Sequence, residues 1–262
     1  MAKTYALVTG STSGIGLSIA HQLAKKNYHI IFVSNEQERL KEVQAEFREK
    51  YQQEPLAIYL NLAEKDAAYT LFDQCKDLDV EVLVNNAGFF FFGMITGANL
   101  EKASAKIQLH IHTVALLCSL FGREMQKKRK GYILNNSSIS AYKEFPGIGY
   151  YAGTKAFTKY FTQSLRCELR PYGIHVTCLL PGATATNLYD PNVVNIELAK
   201  KLGIMMSSDS VAYYAVKGLF ANKSRVIPGI TTKLMLWGTL LVPQWLIYQI
   251  RKLKPVRKVL DL

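Results

Sequence analysis

The sequence predicts a doubly wound α/β fold, one parallel sheet with helices on both faces. Three observations predict it. Short apolar, β-prone runs alternate with longer amphipathic stretches from Tyr5 to about Ile227, and strands joined by helix-length crossovers pair in parallel. The chain has 262 residues, 49% of them hydrophobic and 20% charged. That is enough for a sizeable core, and it excludes disordered, collagen-like and coiled-coil classes. The Gly- and Asn-rich segments follow the apolar runs, at the strand ends where sheets of this kind take their ligands.

The elements follow in order. Tyr5 to Thr9 is a buried strand closed by Gly10, and Ile15, Ile19 and Leu23 then recur at helical spacing with Lys25 and Lys26 at the negative pole. His29 to Ser34 is the second strand, and Glu36 to Tyr51 a charged helix. Leu56 to Leu60 and Glu81 to Asn85 read as strands, with a helix over Glu64 to Lys76 between them. A helix over Leu100 to Lys127 precedes a strand at Tyr132 to Asn135, and a helix over Tyr151 to Leu169 precedes a strand at Ile174 to Leu180. Ser208 is placed to cap a helix running to Phe220, and Arg225 to Ile227 makes an edge strand. Residues 1–230 are read as one domain, and residues 231–262 as an apolar and basic C-terminal extension.

Charge and cysteine usage narrow the partners. There are 32 Lys and Arg against 20 Asp and Glu, a net charge of +12, which favours phosphorylated ligands, anionic membrane or nucleic acid. The basic runs Lys127–Lys130 and Arg251–Lys258 lack interleaved aromatics or a nucleic-acid motif, so no nucleic-acid partner is expected. Cys75, Cys118, Cys167 and Cys178 show no CxxC or Cys/His spacing, so neither a metal nor a disulfide scaffold is expected. The opening MAKTYALVTG has no charged segment followed by a long apolar one, so no secretory signal is read there. A cytoplasmic location is expected, with peripheral contact at the inner face of a membrane as an extension of it.

Five segments carry chemistry. In Thr9-Gly10-Ser11-Thr12-Ser13-Gly14-Ile15-Gly16 the glycines let the backbone turn tightly and approach a pyrophosphate at a helix N-terminus. Tyr151 and Lys155 lie four apart on a helix, so phenol and ammonium share a face and the cation favours phenolate. Tyr150 lacks this partner, because Thr154 stands four residues on. With Asn85-Asn86-Ala87-Gly88, Ser138 and Pro181-Gly182-Ala183-Thr184-Ala185-Thr186, these segments resemble, in order, the TGxxxGIG, NNAG, serine, YxxxK and PGxxxT motifs of the short-chain dehydrogenase/reductase family. The resemblance covers roughly residues 3–230 and points to members that reduce lipid or steroid ketones.

It implies a Rossmann-like sheet and hydride transfer between a nicotinamide and a carbonyl or alcohol. Tyr151 would protonate the carbonyl oxygen, Ser138 would hydrogen-bond it, and Lys155 would hold the nicotinamide ribose and lower the Tyr151 pKa. Ser137 is the neighbouring alternative, and spacing favours Ser138. Gly10, Ser11, Ser13, Gly14, Ile15 and Gly16 would line the cofactor with Asn86, Ala87 and Gly88. Asn61, in place of the family's usual aspartate near the adenine, would join Leu62, Pro181, Gly182 and Thr184 at the cofactor, and Thr186 would reach the carboxamide. The position that usually carries a relay asparagine is His110, read either as an altered proton relay or as a packed helix residue. At the end of the second strand stand Ser34 and Asn35, with neither the usual carboxylate nor the usual arginine. Both can donate to a 2′-phosphate, so NADP(H) is preferred, with NAD(H) the other cofactor open to it.

The substrate is read as apolar and large. Phe89, Phe90, Phe91 and Phe92 follow NNAG at the ligand edge, and with Ser138 and Tyr151 the first two are taken as substrate residues. From Leu234 to Ile250 there is no charge, but Pro243 and two glutamines interrupt a stretch shorter than the roughly 20 residues of a spanning helix. An amphipathic hairpin on an anionic membrane suits Trp237, Trp245, Tyr248 and the cations after them, and an active-site lid or oligomer contact is the other reading. The function read from these features is NADPH-dependent reduction of a lipophilic ketone, such as 3-ketosphinganine or a 3-ketoacyl derivative. A hydroxysteroid or retinol-type dehydrogenase and a catalytically weak membrane-associated sensor are the alternatives. Family members commonly form dimers or tetramers, so a homo-oligomer is expected.

Overall fold

The computed structural model describes residues 3–186, 197 and 205–250. Strands β1 (Tyr5–Thr9), β2 (His29–Ser34), β3 (Leu56–Tyr59), β4 (Val80–Asn85), β5 (Gly131–Asn136), β6 (Ile174–Leu179) and β9 (Arg225–Val226) form one parallel sheet in the order β3-β2-β1-β4-β5-β6-β9. A second, small sheet pairs β7 (Thr184–Ala185) with β8 (Met206–Ser207). The sequence pattern did not reveal it, because two-residue strands have no periodicity.

Side chains alternate across the strands and build a core on each face. Ala6, Val8, Ile30, Phe32, Val82 and Val84 face one way. They meet α1 (Gly14–Ala24), α2 (Gln37–Tyr51) and α7 (Ser208–Phe220) through Ile19, Leu23, Val43, Phe47, Val211 and Ala215. Leu7, Ile31, Val33 and Leu83 face the other way. There α3 (Ala67–Cys75), α5 (Val114–Lys128) and α6 (Gly149–Leu169) cover them with Leu71, Leu117, Phe121 and Leu165. The cap of α7 is Ser207 rather than Ser208: its backbone is extended as it leaves β8, and its hydroxyl accepts from the Ser210 amide.

The stretch expected as one helix over Leu100 to Lys127 has three parts, α4 (Leu100–Ile107), a π-helical turn over Gln108–Thr113, and α5. As a whole, Leu100–Lys128 is long and apolar enough to cross a membrane, but Leu109, Val114, Leu117, Cys118 and Met125 pack it into the second core. Beyond the sheet, α8 (Ile230–Leu241) and α9 (Gln244–Ile250) flank Pro243. The basic run Arg251–Lys258 lies outside the described residues.

The chain reverses direction of winding at β1, which has β2 on one side and β4 on the other. A crevice therefore opens at the C-terminal ends of β1 and β4, and the Gly10 and Asn86 loops meet there.

Candidate active site

The glycine-rich loop is held against the NNAG segment by Thr9. Its hydroxyl accepts from the backbone N–H of Asn86 (2.9 Å) and Ala87 (3.0 Å). The Asn86 side-chain amide in turn donates to the carbonyls of Thr9 and Gly10, and Asn136 donates to Asn86 Oδ1 at 2.9 Å. Gly10 has φ +61°, and a Cβ on it would stand 2.7 Å from Ala87 Cα. A Cβ on Gly14, φ +54°, would meet Thr186 at 2.9 Å, so the PGxxxT loop folds back over the start of α1. Ser13 precedes α1 with no capping bond from its side chain, and the first turn of the helix carries no acidic residue. Close backbone and a helix N-terminus with no acidic residue in its first turn fit a dinucleotide pyrophosphate.

At the rim of this cleft, buried Ser11 accepts from the Val33 amide at 3.0 Å, and Thr12 Oγ1 lies 3.1 Å from Ser34 Oγ. Two residues that the motifs do not mark join them. Thr12 donates to Glu36 Oε2 at 2.6 Å, and Arg39 donates to the Thr12 carbonyl at 3.3 Å. A carboxylate and a guanidinium thus share the rim with Ser34, while Asn35 is exposed. Farther along, Asn61 Oδ1 accepts from the Ala63 amide, and the Leu62 carbonyl accepts from Thr113.

The α6 residues converge on the end of β5. Lys155 is buried, and its Nζ donates to the Asn136 carbonyl at 2.7 Å while lying 5.6 Å from the centre of the Tyr151 ring. Burial pushes Lys155 down to about 8. Ser137 and Ser138 separate cleanly in role. Ser137 spends its hydroxyl on the Lys155 carbonyl at 2.7 Å, whereas Ser138 accepts from the Ser140 amide at 3.1 Å, leaving its own O–H to donate. On the far side of the cleft the Pro181 carbonyl takes the Ile139 amide, and Thr184 donates to the Gly182 carbonyl.

His110 sits in the π-helical turn, buried, with both ring nitrogens engaged. Nε2 accepts from the Phe89 amide at 3.3 Å and Nδ1 lies 3.0 Å from Thr154 Oγ1. Because Nε2 accepts, Nδ1 carries the proton and the ring is neutral. Burial, reinforced by Lys155 and then Lys106, holds its pKa well below the usual histidine value. A Cβ on Gly88 would strike Nε2 at 2.7 Å, which gives that glycine its reason.

The phenylalanine run alternates. Phe90 meets the Tyr151 ring edge-on at 4.9 Å and Phe92 at 4.6 Å. Phe89 and Phe91 pair on the other side, over the ammonium of Lys106. Lys106 was not visible as a site residue, although it stands four before His110 on an otherwise apolar face. It is fully buried, with Nζ 5.4 Å from the centre of the Tyr151 ring, and burial lowers it to about 8. A cavity of about 690 Å³ runs between Met94, Ile95, Phe145, Pro146, Trp245 and Ile247 and reaches Gly149 at the start of α6. Its walls are mostly apolar, and the Gly93 amide bonded to the Gly147 carbonyl ties two of them together.

Comparison with known proteins agrees with this geometry. A family model described as short chain dehydrogenase matches residues 4–195. The chain is 31% identical over 222 residues to a hydroxysteroid dehydrogenase-like protein 1 of Gallus gallus, covering 84% of this chain and 66% of that one. It is 33% identical over 190 residues to a very-long-chain 3-oxoacyl-CoA reductase of Homo sapiens, covering 70% and 60%. The chain therefore spans less than two thirds of the length of these relatives. Among solved structures, a short-chain dehydrogenase from Sphingobium yanoikuyae in complex with NADPH superposes with a TM-score of 0.80 at 25% identity, covering 92% of each chain.

Proposed function

The chain belongs to the short chain dehydrogenase family of oxidoreductases, and we propose that it reduces the ketone of a long-chain 3-oxoacyl lipid to an alcohol with NADPH. One observation carries the reading: a mostly apolar cavity reaches Gly149, the first residue of the helix that carries Tyr151 and Lys155, in a chain similar to a very-long-chain 3-oxoacyl-CoA reductase. The experiment that tests it is reduction of long-chain 3-oxoacyl thioesters by the purified protein. A steroid ketone turned over in their place would favour the second reading, which rests on the hydroxysteroid dehydrogenase-like relative.

When bound, the nicotinamide supplies the hydride. Tyr151 gives its phenolic proton to the carbonyl oxygen, and Ser138, its hydroxyl oriented by the Ser140 amide, donates to the same oxygen. Lys155 holds the ribose and favours departure of the phenolic proton. With both nitrogens engaged, His110 fixes the Phe89 loop and, through Thr154, the turn that carries Tyr151. It is a positioning residue in this reading.

Ser34 and Arg39 support a preference for NADP(H), and Glu36 opposes it. A phosphate on the 2′-oxygen meets a guanidinium and a carboxylate on one rim, so the outcome depends on both. The expected result is a larger thermal stabilisation by NADPH than by NADH. Arg39→Gln should weaken NADPH and Glu36→Gln strengthen it, each by about 2- to 5-fold in Kd, the size of an exposed ion pair. Equal stabilisation by the two cofactors in all three proteins would remove the preference.

A peripheral membrane contact, on the cytoplasmic side, completes the reading. Trp237 is 69% and Leu241 80% exposed on α8, with Trp245 and Tyr248 exposed on α9 beside the cavity mouth. Substituting both Trp237→Glu and Leu241→Glu should lower partition onto phosphatidylserine-containing vesicles by about tenfold or more. Unchanged partition would leave α8 and α9 as a lid.

A further inference from the structure

Lys106 has no assigned part in the chemistry, yet it is buried inside the catalytic cleft. It leaves the last turn of α4 with no solvent exposure, and its Nζ has no hydrogen-bond partner among the described residues. Around it stand the rings of Phe91 (3.8 Å to the centre), Phe89 (5.3 Å), Tyr151 (5.4 Å) and Phe90 (5.5 Å). Ring faces offset part of the cost of burying an ammonium, but they do not replace a hydrogen-bond acceptor.

Among the described residues, no neighbour in the cleft supplies that acceptor. His110 has both nitrogens engaged, and Lys155 is a second cation, already donating to the Asn136 carbonyl. The two ammonium groups lie at nearly equal distance from the Tyr151 ring, 5.4 and 5.6 Å. Lys106 Nζ therefore lies beside the ring whose hydroxyl would hold the reacting ketone oxygen. Phe89, Phe90 and Phe91, which screen Nζ, belong to the irregular segment 86–94, and the side chains of Phe90 and Phe91 can turn aside for an entering chain while the segment's backbone bonds stay in place.

We propose that Lys106 Nζ binds a second oxygen of the substrate, the carbonyl two carbons from the reacting ketone, and so selects 3-oxoacyl compounds over ketones with one oxygen. The proposal rests on the 3-oxoacyl reading above and adds the residue that recognises it. An ammonium donating to that carbonyl fills its own vacant bond and fixes which end of the chain enters the cleft.

The test compares the whole protein with Lys106→Met, using the reduced cofactor and two chain-matched substrates. One is a long-chain 3-oxoacyl thioester and the other a long-chain ketone without the second carbonyl. In the variant KM for the thioester should rise about 10- to 100-fold, the range of a hydrogen bond to a charged group, with the simple ketone unchanged. Thermal melting and cofactor-induced stabilisation show that the variant is folded. Equal losses on both substrates overturn the proposal and make Lys106 a partner of Tyr151, and no loss on either leaves it as packing. If the wild type reduces the simple ketone and not the thioester, the 3-oxoacyl reading itself falls, and the selection by Lys106 with it.

A second readout needs no variant. In the wild type the ratio of the two KM values should rise above about pH 8, where Lys106 loses its charge. Tyr151, Lys155 and His110, the other titratable groups facing it, serve both substrates and cancel in the ratio. A flat ratio overturns the proposal.

Discussion

Tyr151→Phe is expected to lower kcat for ketone reduction by about 10²- to 10⁴-fold while leaving cofactor-induced thermal stabilisation unchanged. The substitution removes one oxygen and little else. The ring keeps its edge contact with Phe90 at 4.9 Å and its place between the ammonium groups of Lys155 and Lys106. Lys155 keeps its bond to the Asn136 carbonyl, so the cofactor side of the cleft is undisturbed. What disappears is the phenolic proton that, in the proposed reaction, would go to the carbonyl oxygen. Retention of a tenth or more of the wild-type rate would take Tyr151 out of the chemistry. Two neighbours calibrate the result. Tyr150→Phe should leave kcat intact, because that ring lies 6.4 Å from Phe91 and has no lysine one turn on. Ser137→Ala should cost stability rather than rate, because its hydroxyl is committed to the Lys155 carbonyl.

Much of this was legible in the sequence, and the reasons are local. Parallel strands declare themselves when short apolar runs alternate with amphipathic stretches, and β1, β2 and β4 lie where that pattern put them. The pairing of Tyr151 with Lys155 is read from their spacing on one helix, and Ser138 from the resemblance to the family's motifs. What was not legible depends on residues meeting from separate elements. Glu36 and Arg39 look like surface charges of α2 until Thr12 from the glycine-rich loop bonds to both. The two nitrogens of His110 are claimed by Phe89 and Thr154, from two other segments, so the sequence could only leave its role open. Lys106 is the sharpest case. A lysine in the last turn of a helix is ordinarily placed to complement the dipole in water, and nothing in the sequence says that three phenylalanines will close over it. The split of the long helix by a π-helical turn is of the same kind, because the pattern of apolar residues continues through it.

The glycines of the site provide a second expected result, in stability as well as binding. Gly16→Ala should lower Tm by about 2–12 °C, from an overpacking cost of about 1–3 kcal/mol and the usual dependence for a chain of this size. Cofactor affinity should fall with it. A Cβ on Gly16 would stand 2.1 Å from the Gly10 carbonyl oxygen and 2.5 Å from the Asn86 side-chain nitrogen. The first of these is backbone, so relief requires α1 or the loop to move, and that breaks the Asn86 bonds that join the loop to the end of β4. Gly153→Ala provides the contrast. It lies between Tyr151 and Lys155 on α6, is exposed, and a Cβ there meets nothing within 4 Å. Alanine in a helix interior gains about 0.8–1 kcal/mol over glycine, so this substitution should raise Tm and preserve activity. Melting curves with and without cofactor separate the two cases. A Gly16→Ala protein as stable and as responsive as the wild type would mean that the close approach of α1 to the Gly10 carbonyl is not what sets the cofactor cleft. A Gly153→Ala protein that is stabilised but inactive would instead place substrate or a second subunit against that face of α6.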